Sequence, residues 1–414
     1  MLISEGYLIF GARVWEATSE SFSPLAAPVW VRDGKVEAVG AAAEAGFRGV
    51  SRRDATGRFL VPGLIDAHVH LELDPALGTP AQQLALPPER VAAAMQRRAQ
   101  EMLFAGITTA RDCGGGAHRE HGLRDRIDRG ETLGPRLICC GQPLTTPGGH
   151  CHFWGGAVSK QSEIAAVLAR QIEAKSDWIK VMATGGIFTP GVRARDAQFE
   201  LERLISIVEA AERAGRHVAA HCHGTQGIAD AMRAGVRTIE HASFAGAKGF
   251  GTALDTSLMR EMARASLWVS PTVNAAWGRR IEDGEGAPTD FFLRMSQCLR
   301  RQRDAGIRFI ASTDAGIPGI AHHDLVAGLL AFARFAELSP CEVLRAATSE
   351  SARALGLEDE TGRIAAGLSA DMLLLEANPL EDLEAIRDPE VVVFRGAWHD
   401  RETRRRCADA AGAS

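Results

Sequence analysis

In the stretch Leu64-Ile65-Asp66-Ala67-His68-Val69-His70, two histidines stand two residues apart at the end of a β-rich run. On a strand, residues i and i+2 share a face, so both imidazoles can point into one mouth and reach one cation at about 2.1 Å. Further residues of the right chemistry close other β-rich runs: Lys180 after Trp178-Ile179, His221 after Val218-Ala219-Ala220, His241 after Thr238-Ile239-Glu240, and Asp314 after Ser312-Thr313. Imidazoles and carboxylates are residue types that hold divalent ions. Taken singly, each residue has an ordinary structural role: a packed histidine, a salt-bridging lysine, an aspartate capping a helix. Four histidines, a lysine and an aspartate, all at strand ends, point instead to a metal-centred site. Other chemistries lack their marks. There is no Gly-x-Ser-x-Gly elbow, no His-Glu-x-x-His, no Gly-x-x-x-x-Gly-Lys-Ser/Thr loop and no Rossmann fingerprint, and Gly114-Gly115-Gly116 lacks a dinucleotide-binding context.

Such residues need a scaffold that presents several strand ends on one rim. From residue 106 to 313 a unit recurs, an amphipathic stretch, a small turn residue and a short β-rich run. The runs are Ile107 to Asp112, Arg136 to Cys140, Trp178 to Met182, His217 to His221, Arg237 to His241, Leu267 to Pro271 and Ile307 to Ser312, with Leu64 to His68 before them. Gly106, Gly215, Gly235 and Gly306 each stand just before a run, where a preceding helix must end in a left-handed residue. Leu204, Ile205, Ile207, Val208 and Ala211 fall at helical spacing, and Phe291 to Arg303 carries a comparable stripe. Eight strands alternating with helices over about 290 residues predict an α/β fold, a (β/α)8 TIM barrel, whose functional groups gather at the strand C-termini. The flanks differ. Tyr7 to Val14, Pro28 to Arg32 and Lys35 to Val39 alternate like half-buried strands, with Asp33-Gly34 as a hairpin turn, and Gly362 to Ile364, Asp371 to Glu376 and Glu390 to Phe394 read the same way. Neither flank has enough strands to stand alone, so residues 1–60 and 360–414 are expected to pair into one small β-sandwich domain, leaving 61–359 as the barrel.

These motifs together resemble the amidohydrolase superfamily, specifically its binuclear-metal branch near the imidazolonepropionase-related dipeptidases that cleave Xaa-Pro or Xaa-Arg. The resemblance runs from Gly11-Ala12-Arg13-Val14 and Val61 to His70 through Gly106 to Asp112, Trp178 to Gly186, His221-Cys222-His223-Gly224, Ile239-Glu240-His241 and Ser312 to Gly316, and on to Gly362-Arg363-Ile364 and Gly367 to Asp371. It implies two divalent metals, usually zinc. His68, His70 and Asp314 would hold one ion and His221 and His241 the other, with Lys180 bridging both as a carboxylated lysine. An ammonium beside two cations is repelled, whereas a lysine carbamate is an anionic ligand that offsets their charge. A water shared by the ions would lose its proton near neutral pH, and Asp314 would pass a proton to the leaving nitrogen. By the same resemblance His223 is a catalytic and substrate-binding residue that hydrogen-bonds the carbonyl or a substrate carboxylate. His150, after the glycines of Thr146-Pro147-Gly148-Gly149, and His322, in the loop after the last strand, are substrate-binding candidates, although His323 stands where the family usually has glycine. Family dipeptidases commonly carry a tyrosine after the sixth-strand histidine to bind a substrate carboxylate. Here the chain reads His241-Ala242-Ser243-Phe244 and its only tyrosine is Tyr7, which favours a larger or less acidic substrate. Phe153, Trp154, Phe188 and Trp277 lie on the loops of that rim as candidate pocket walls.

The expected activity is therefore metal-dependent hydrolysis of an amide or peptide C–N bond, in a dipeptide, an N-acyl amino acid or a modified peptide from natural-product tailoring. Opening of a cyclic amide in the manner of imidazolonepropionase is the alternative, which Lys180 disfavours because that group uses no bridging lysine. A non-catalytic scaffold is the remaining one, and every ligand position being filled speaks against it. The bulk properties agree. The 414 residues are 46% hydrophobic and 24% charged, which excludes wholesale disorder. Lys and Arg total 47 against 52 Asp and Glu, a net charge of −5, and the one basic cluster, Arg401, Arg404, Arg405 and Arg406, reads as a solvated end, so nucleic acid is not an expected partner. No window of about 18 residues is continuously apolar, and Glu5 stands where an export signal would be positive, so neither membrane nor export is expected. Eight cysteines without a CxxC pair or regular spacing encode neither a zinc ribbon nor a disulfide framework, and a cytoplasmic location follows. The expected partners are a small-molecule or peptide substrate and further copies of the chain as a homo-oligomer.

Overall fold

Apolar runs alternating with amphipathic stretches become strands alternating with helices in the computed structural model, which describes residues 6–47 and 51–412. They fall into two units, Asp66–Ala99 with Ala110–Leu338, and the described residues up to Ile65 with Gln100–Thr109 and those from Ser339 onward. Strands β1 (Leu64–Val69), β2 (Ile107–Asp112) and β3 (Arg136–Cys139) form one sheet in the order β3-β2-β1. A second sheet holds β4 (Trp178–Met182), β5 (His217–Gly224), β6 (Thr238–Ala245), β7 (Trp268–Ser270) and β8 (Arg308–Phe309) side by side and parallel. Every residue of β1, β2, β4 and β6 is buried, as strands covered on both faces must be. Backbone hydrogen bonds also join β1 to the chain after β8, from Ala67 N–H to Ala311 O (3.0 Å) and from Asp314 N–H to His68 O (2.9 Å). Others join the chain around β3 to that around β4, from Leu144 N–H to Lys180 O and from Asp177 N–H to Cys139 O, both 2.8 Å. The architecture is an α/β fold of the TIM-barrel type.

The register decides what reaches the rim. Met182 lies opposite His221 and Cys222 opposite His241, so His221 stands level with the end of β4 and His241 one residue further along. Helices return the chain between strands with one apolar face each. Leu201–Arg213 buries Leu204, Ile207, Val208 and Ala211, and Asp290–Asp304 buries Phe291, Met295, Cys298 and Leu299. Asp255 and Thr289 start helices by accepting the N–H groups of Leu258 and Phe292. Gly235 and Gly306 stop helices in left-handed geometry (φ 86° and 89°), as Gly106 and Gly215 also do. β5 and β6 run further than their sequence pattern suggests, whereas β7 and β8 are shorter.

In the other unit, a four-stranded sheet runs in the order Lys35–Val39, Val29–Arg32, Tyr7–Phe10, Ser51–Asp54. A six-stranded one runs Ala397–Asp400, Val391–Phe394, Met372–Leu375, Phe59–Pro62, Arg13–Glu16, Ser21–Phe22. Strands from both ends of the chain thus pair directly, Leu373 opposite Val61. Side chains of both sheets share one apolar core that includes Ile9, Val14, Val31, Leu60, Met372 and Val391. Tyr7 to Val14 is not one strand: Gly11 takes φ 86° and the chain changes sheets there. Gly362 to Ile364 is not a strand either, because Gly362 (φ 87°) leaves the extended conformation. Asp33 and Gly34, both at positive φ, make the expected two-residue hairpin turn. All eight cysteines are free. Among the described residues no helix is long and apolar enough to cross a membrane.

Candidate metal centre

Each strand end contributes in its own way. His68 belongs to β1 and His70 follows it; Lys180 lies within β4, His221 and His223 on β5, and His241 on β6. Asp314 follows β8. Three residues of this rim, His241 (φ 69°), Thr272 (φ 53°) and Asp314 (φ 60°), adopt left-handed backbone although none is glycine. Such geometry costs on the order of 1–3 kcal/mol each and persists where the surroundings demand it, here within β6 and just beyond β7 and β8.

The six expected ligands converge. His68 Nε2 lies 3.3 Å from His70 Nε2 and 3.3 Å from Lys180 Nζ, and Asp314 Oδ1 lies 3.4 Å from both ring nitrogens. Ring orientation is set from behind. His68 Nδ1–H donates to Glu240 Oε2 (2.8 Å), His70 Nδ1–H to Gly114 O (2.7 Å), and His221 Nε2–H to Gly185 O (3.0 Å). His241 Nδ1–H donates to Thr272 Oγ1 (2.8 Å), whose hydroxyl itself donates to Pro271 O. That leaves His68 Nε2, His70 Nε2, His221 Nδ1 and His241 Nε2 as the nitrogens that can face a cation, and the last is buried without a hydrogen-bond partner. His68 Nε2 and His70 Nε2 face each other at 3.3 Å, an approach that needs a positive charge, a proton or a metal ion, between them. The donor set therefore fits divalent ions: His68, His70 and Asp314 bring one ligating atom each within 4.8 Å of one another, and so do His221, His223 and His241. His68, Cys113 and Glu240 are equally close, but there the His68–Glu240 hydrogen bond already accounts for the approach.

Electrostatics divide the cluster. Burial lowers the proton affinity of His221 and His241 well below the ordinary value, and neighbouring imidazoles push the same way, so both rings are neutral, the form that ligates. At His68 burial is outweighed by Cys113 and Asp314, which hold the ring up to about 9 and mark a corner that attracts positive charge. Burial would raise Asp314, but His68, His70 and Lys180 outweigh it and hold its carboxyl below the usual range. Glu240 is held low in the same way, by Arg111 and then His68. Lys180 is 1% exposed and, among the described residues, forms no salt bridge to a carboxylate.

A cavity of about 340 Å³ opens in front of the cluster, lined by all six ligand candidates and by His150 and His223. The His150 ring lies 4.6 Å from that of His221, and burial takes its pKa down to about 4. His223 is sandwiched between His241 (4.5 Å) and Phe250 (4.7 Å), with Nδ1 on Ser243 Oγ, and burial takes it down to about 3. His322 departs from expectation: it is buried, donates from Nε2 to the carbonyl of His70 (3.0 Å), and does not line the cavity. The glycines at 148 and 149 do not line it either. Close approach is instead made at Gly186, against which the His150 ring packs so tightly that a Cβ would overlap it. Trp154, Phe188 and Trp277 form walls, whereas Phe153 packs behind with its ring 6.0 Å from that of Phe188. Residue-by-residue reading misses Arg111 and Glu240, a fully buried pair at 2.7 Å, and Thr272, Ser243 and Asn274. The available signal was a charged residue inside each of two apolar strands, β2 and β6.

Three comparisons with known proteins accord with this geometry. The family model described as Amidohydrolase family matches residues 59–398. Ochratoxinase from Aspergillus niger is 26% identical over 373 residues, covering 81% of this chain and 74% of its own. The solved structure of a putative prolidase from Bifidobacterium longum is 28% identical with a TM-score of 0.77, over 99% of this chain and 100% of that one. A Xaa-Pro dipeptidase with methionine bound in its active site shares the fold, with a TM-score of 0.83 at 24% identity over 95% of this chain and 100% of that one.

Proposed function

Because the chain belongs to the amidohydrolase family, we propose that it is a metal-dependent hydrolase of an amide or peptide C–N bond, such as that of a dipeptide, an N-acyl amino acid or a modified peptide. The observation that carries this reading is the convergence of bare imidazole nitrogens, Lys180 and Asp314 on one cavity. Ochratoxinase and the prolidase, being relatives, support the bond type. His68, His70 and Asp314 would hold one divalent ion, zinc in the first instance, and His221 and His241 a second, with Lys180 as its carbamate between them. Bound there, the ions would supply water acidified from a pKa of 15.7 to about 7 and polarisation of the scissile carbonyl.

The chain's own residues then have distinct tasks. Asp314, ionised at neutral pH, accepts a proton at a carboxylate oxygen and releases it to the leaving nitrogen. His223 is neutral, and with its Nδ1 taken by Ser243 it presents Nε2 to the substrate carbonyl. His150 completes the same wall as a neutral ring. His322 acts on substrate only through His70, whose backbone it holds. Glu240 and Thr272 orient His68 and His241.

The hydrogen bonds on both flanks of the two sheets support reading the eight strands as one closed (β/α)8 barrel of residues 61–359, with 1–60 and 360–414 as a β-sandwich domain. The test is metal analysis joined to a turnover screen: zinc-supplemented protein is assayed for bound ion, then against dipeptides, N-acyl amino acids, neutral amides and cyclic amides. Stoichiometric zinc with amide cleavage is expected. Substoichiometric metal and no cleavage would return the chain to a scaffold role, and cleavage of cyclic amides alone would favour the imidazolonepropionase type.

A further inference from the structure

The cavity has two unlike walls. One is apolar, built by Leu73, Trp154, Met182, Phe188, Trp277 and Ile317. The other is the imidazole cluster with Ser243, Thr272 and Asn274, and these three are already engaged. Ser243 Oγ meets His223, Thr272 Oγ1 stands between His241 and Pro271 O, and Asn274 donates to Thr313 O and accepts from Ala276 N–H. Among the described residues that line the cavity, Lys180 is the one lysine or arginine, and no tyrosine is present. Lys180 is buried against His68, in the cluster where the reacting carbonyl must sit, so it cannot also receive a remote carboxylate. Away from the metal centre, a substrate carboxylate would thus lose its water and meet no cationic side chain.

A second cleft, of about 430 Å³, adjoins the first and shares Ile187 and Phe250 with it. Its remaining lining comes from Gly186, Thr189, Pro190, Val192, Ala194 and neighbouring glycines, without a charged side chain among the described residues. Phe250 is fixed by its stack on His223 (interplanar angle 13°). Ile187 is 74% exposed, a large aliphatic group held in water at the junction of the two spaces. Burying it needs an apolar partner that neither cleft supplies.

Resting on the amide-hydrolase reading, we propose that the substrate is an uncharged amide with an apolar group on each side of the scissile bond, the longer one passing between Ile187 and Phe250 into the second cleft. Ile187 is then a specificity-determining residue.

The experiment compares acyl anilides, from acetyl to octanoyl, with the matching acyl derivatives of 4-aminobenzoate, which offer the same bond and ring but add a carboxylate. Zinc-loaded protein is assayed for kcat/KM, and binding is read separately from tryptophan fluorescence, since Trp154 and Trp277 line the cavity. The neutral series should be preferred by on the order of 100-fold, the scale of an unpaired buried charge, and should gain with acyl length. Ile187→Lys, at an exposed position, should keep the melting temperature and abolish or reverse the gain with acyl length, and Ile187→Ala should flatten it. Equal or better cleavage and binding of the carboxylates, no length dependence, or no binding by either series would overturn the proposal. Cleavage of both series alike would leave the hydrolase reading standing without it. Preferential binding of the neutral series with no turnover of any amide would uphold the pocket chemistry and remove the hydrolase reading.

Discussion

Glu240→Gln tests how the interior of the fold aims the cluster. Glu240 and Arg111 are both 0% exposed and 2.7 Å apart. The carboxylate accepts from His68 on Oε2 and from Arg111 and Thr238 on Oε1. An amide keeps one of these acceptors and turns the other into a donor facing a donor. With the oxygen kept towards Arg111, the guanidinium retains that acceptor, Ala67 O and the Thr238 hydroxyl but loses its counter-charge. Removing one partner of a buried pair costs about 3–5 kcal/mol. With one hydrogen bond retained, the low end applies, and at about 2 °C per kcal/mol the melting temperature should fall by roughly 6 °C. Freed from its acceptor, His68 should also hold metal about 10- to 100-fold less tightly. Calorimetry of the apo protein reads the first effect and competitive zinc titration the second. Adding Arg111→Met removes the orphaned charge, so the double variant should regain most of the lost stability but none of the zinc affinity. A single variant within about 1 kcal/mol of the parent, inside the range of ordinary surface substitutions, would refute the buried-pair argument. Unchanged zinc affinity would refute the orienting role.

Asp314→Asn should lower kcat by about 10²- to 10⁴-fold with an unchanged circular dichroism spectrum, because the amide cannot carry the proton; undiminished turnover would take Asp314 out of that role. Lys180→Ala should cut zinc retention and activity together, with short carboxylic acids restoring part of both, and a fully active variant would contradict the bridging carbamate. Gly186→Ala places a Cβ into the His150 ring, so kcat/KM should drop by about 10-fold while zinc stoichiometry holds, and a crystal structure with His150 unmoved would contradict this. Burial, then Glu120, raises the Asp112 carboxyl well above 3.8, so the folded state keeps a proton that the unfolded state has lost, and stability falls as pH rises from about 4 towards that raised value. Glu120→Gln should therefore gain stability relative to the parent as pH increases through this window in denaturant titrations, whereas parallel curves would show that Glu120 is without effect.

Much of the fold is legible because a strand buried on both faces leaves an apolar run, and the polar residue that closes it stands out. His68, His221, His241 and Asp314 are visible for that reason, and Gly235 and Gly306 mark helix ends by a conformation that other residues avoid. Tyr7 to Val14 shows the limit, since alternation continues through Gly11 while the chain changes sheets. His322 shows another: its spacing from Asp314 says nothing of the path of the intervening loop, which carries it behind His70.

The sequence by itself determines which ionisable side chains stand at strand ends, because the periodicity that defines a strand is written within a few neighbouring residues. Tertiary structure alone decides which ring nitrogen is left bare, which carboxylate is ionised and which apolar residues wall the cavity. Arg111 and Glu240 are 129 residues apart in the chain and meet only because β2 and β6 face one interior. A hydrogen bond or a desolvated charge depends on separations of a few tenths of an ångström between such remote segments, and no local pattern encodes them.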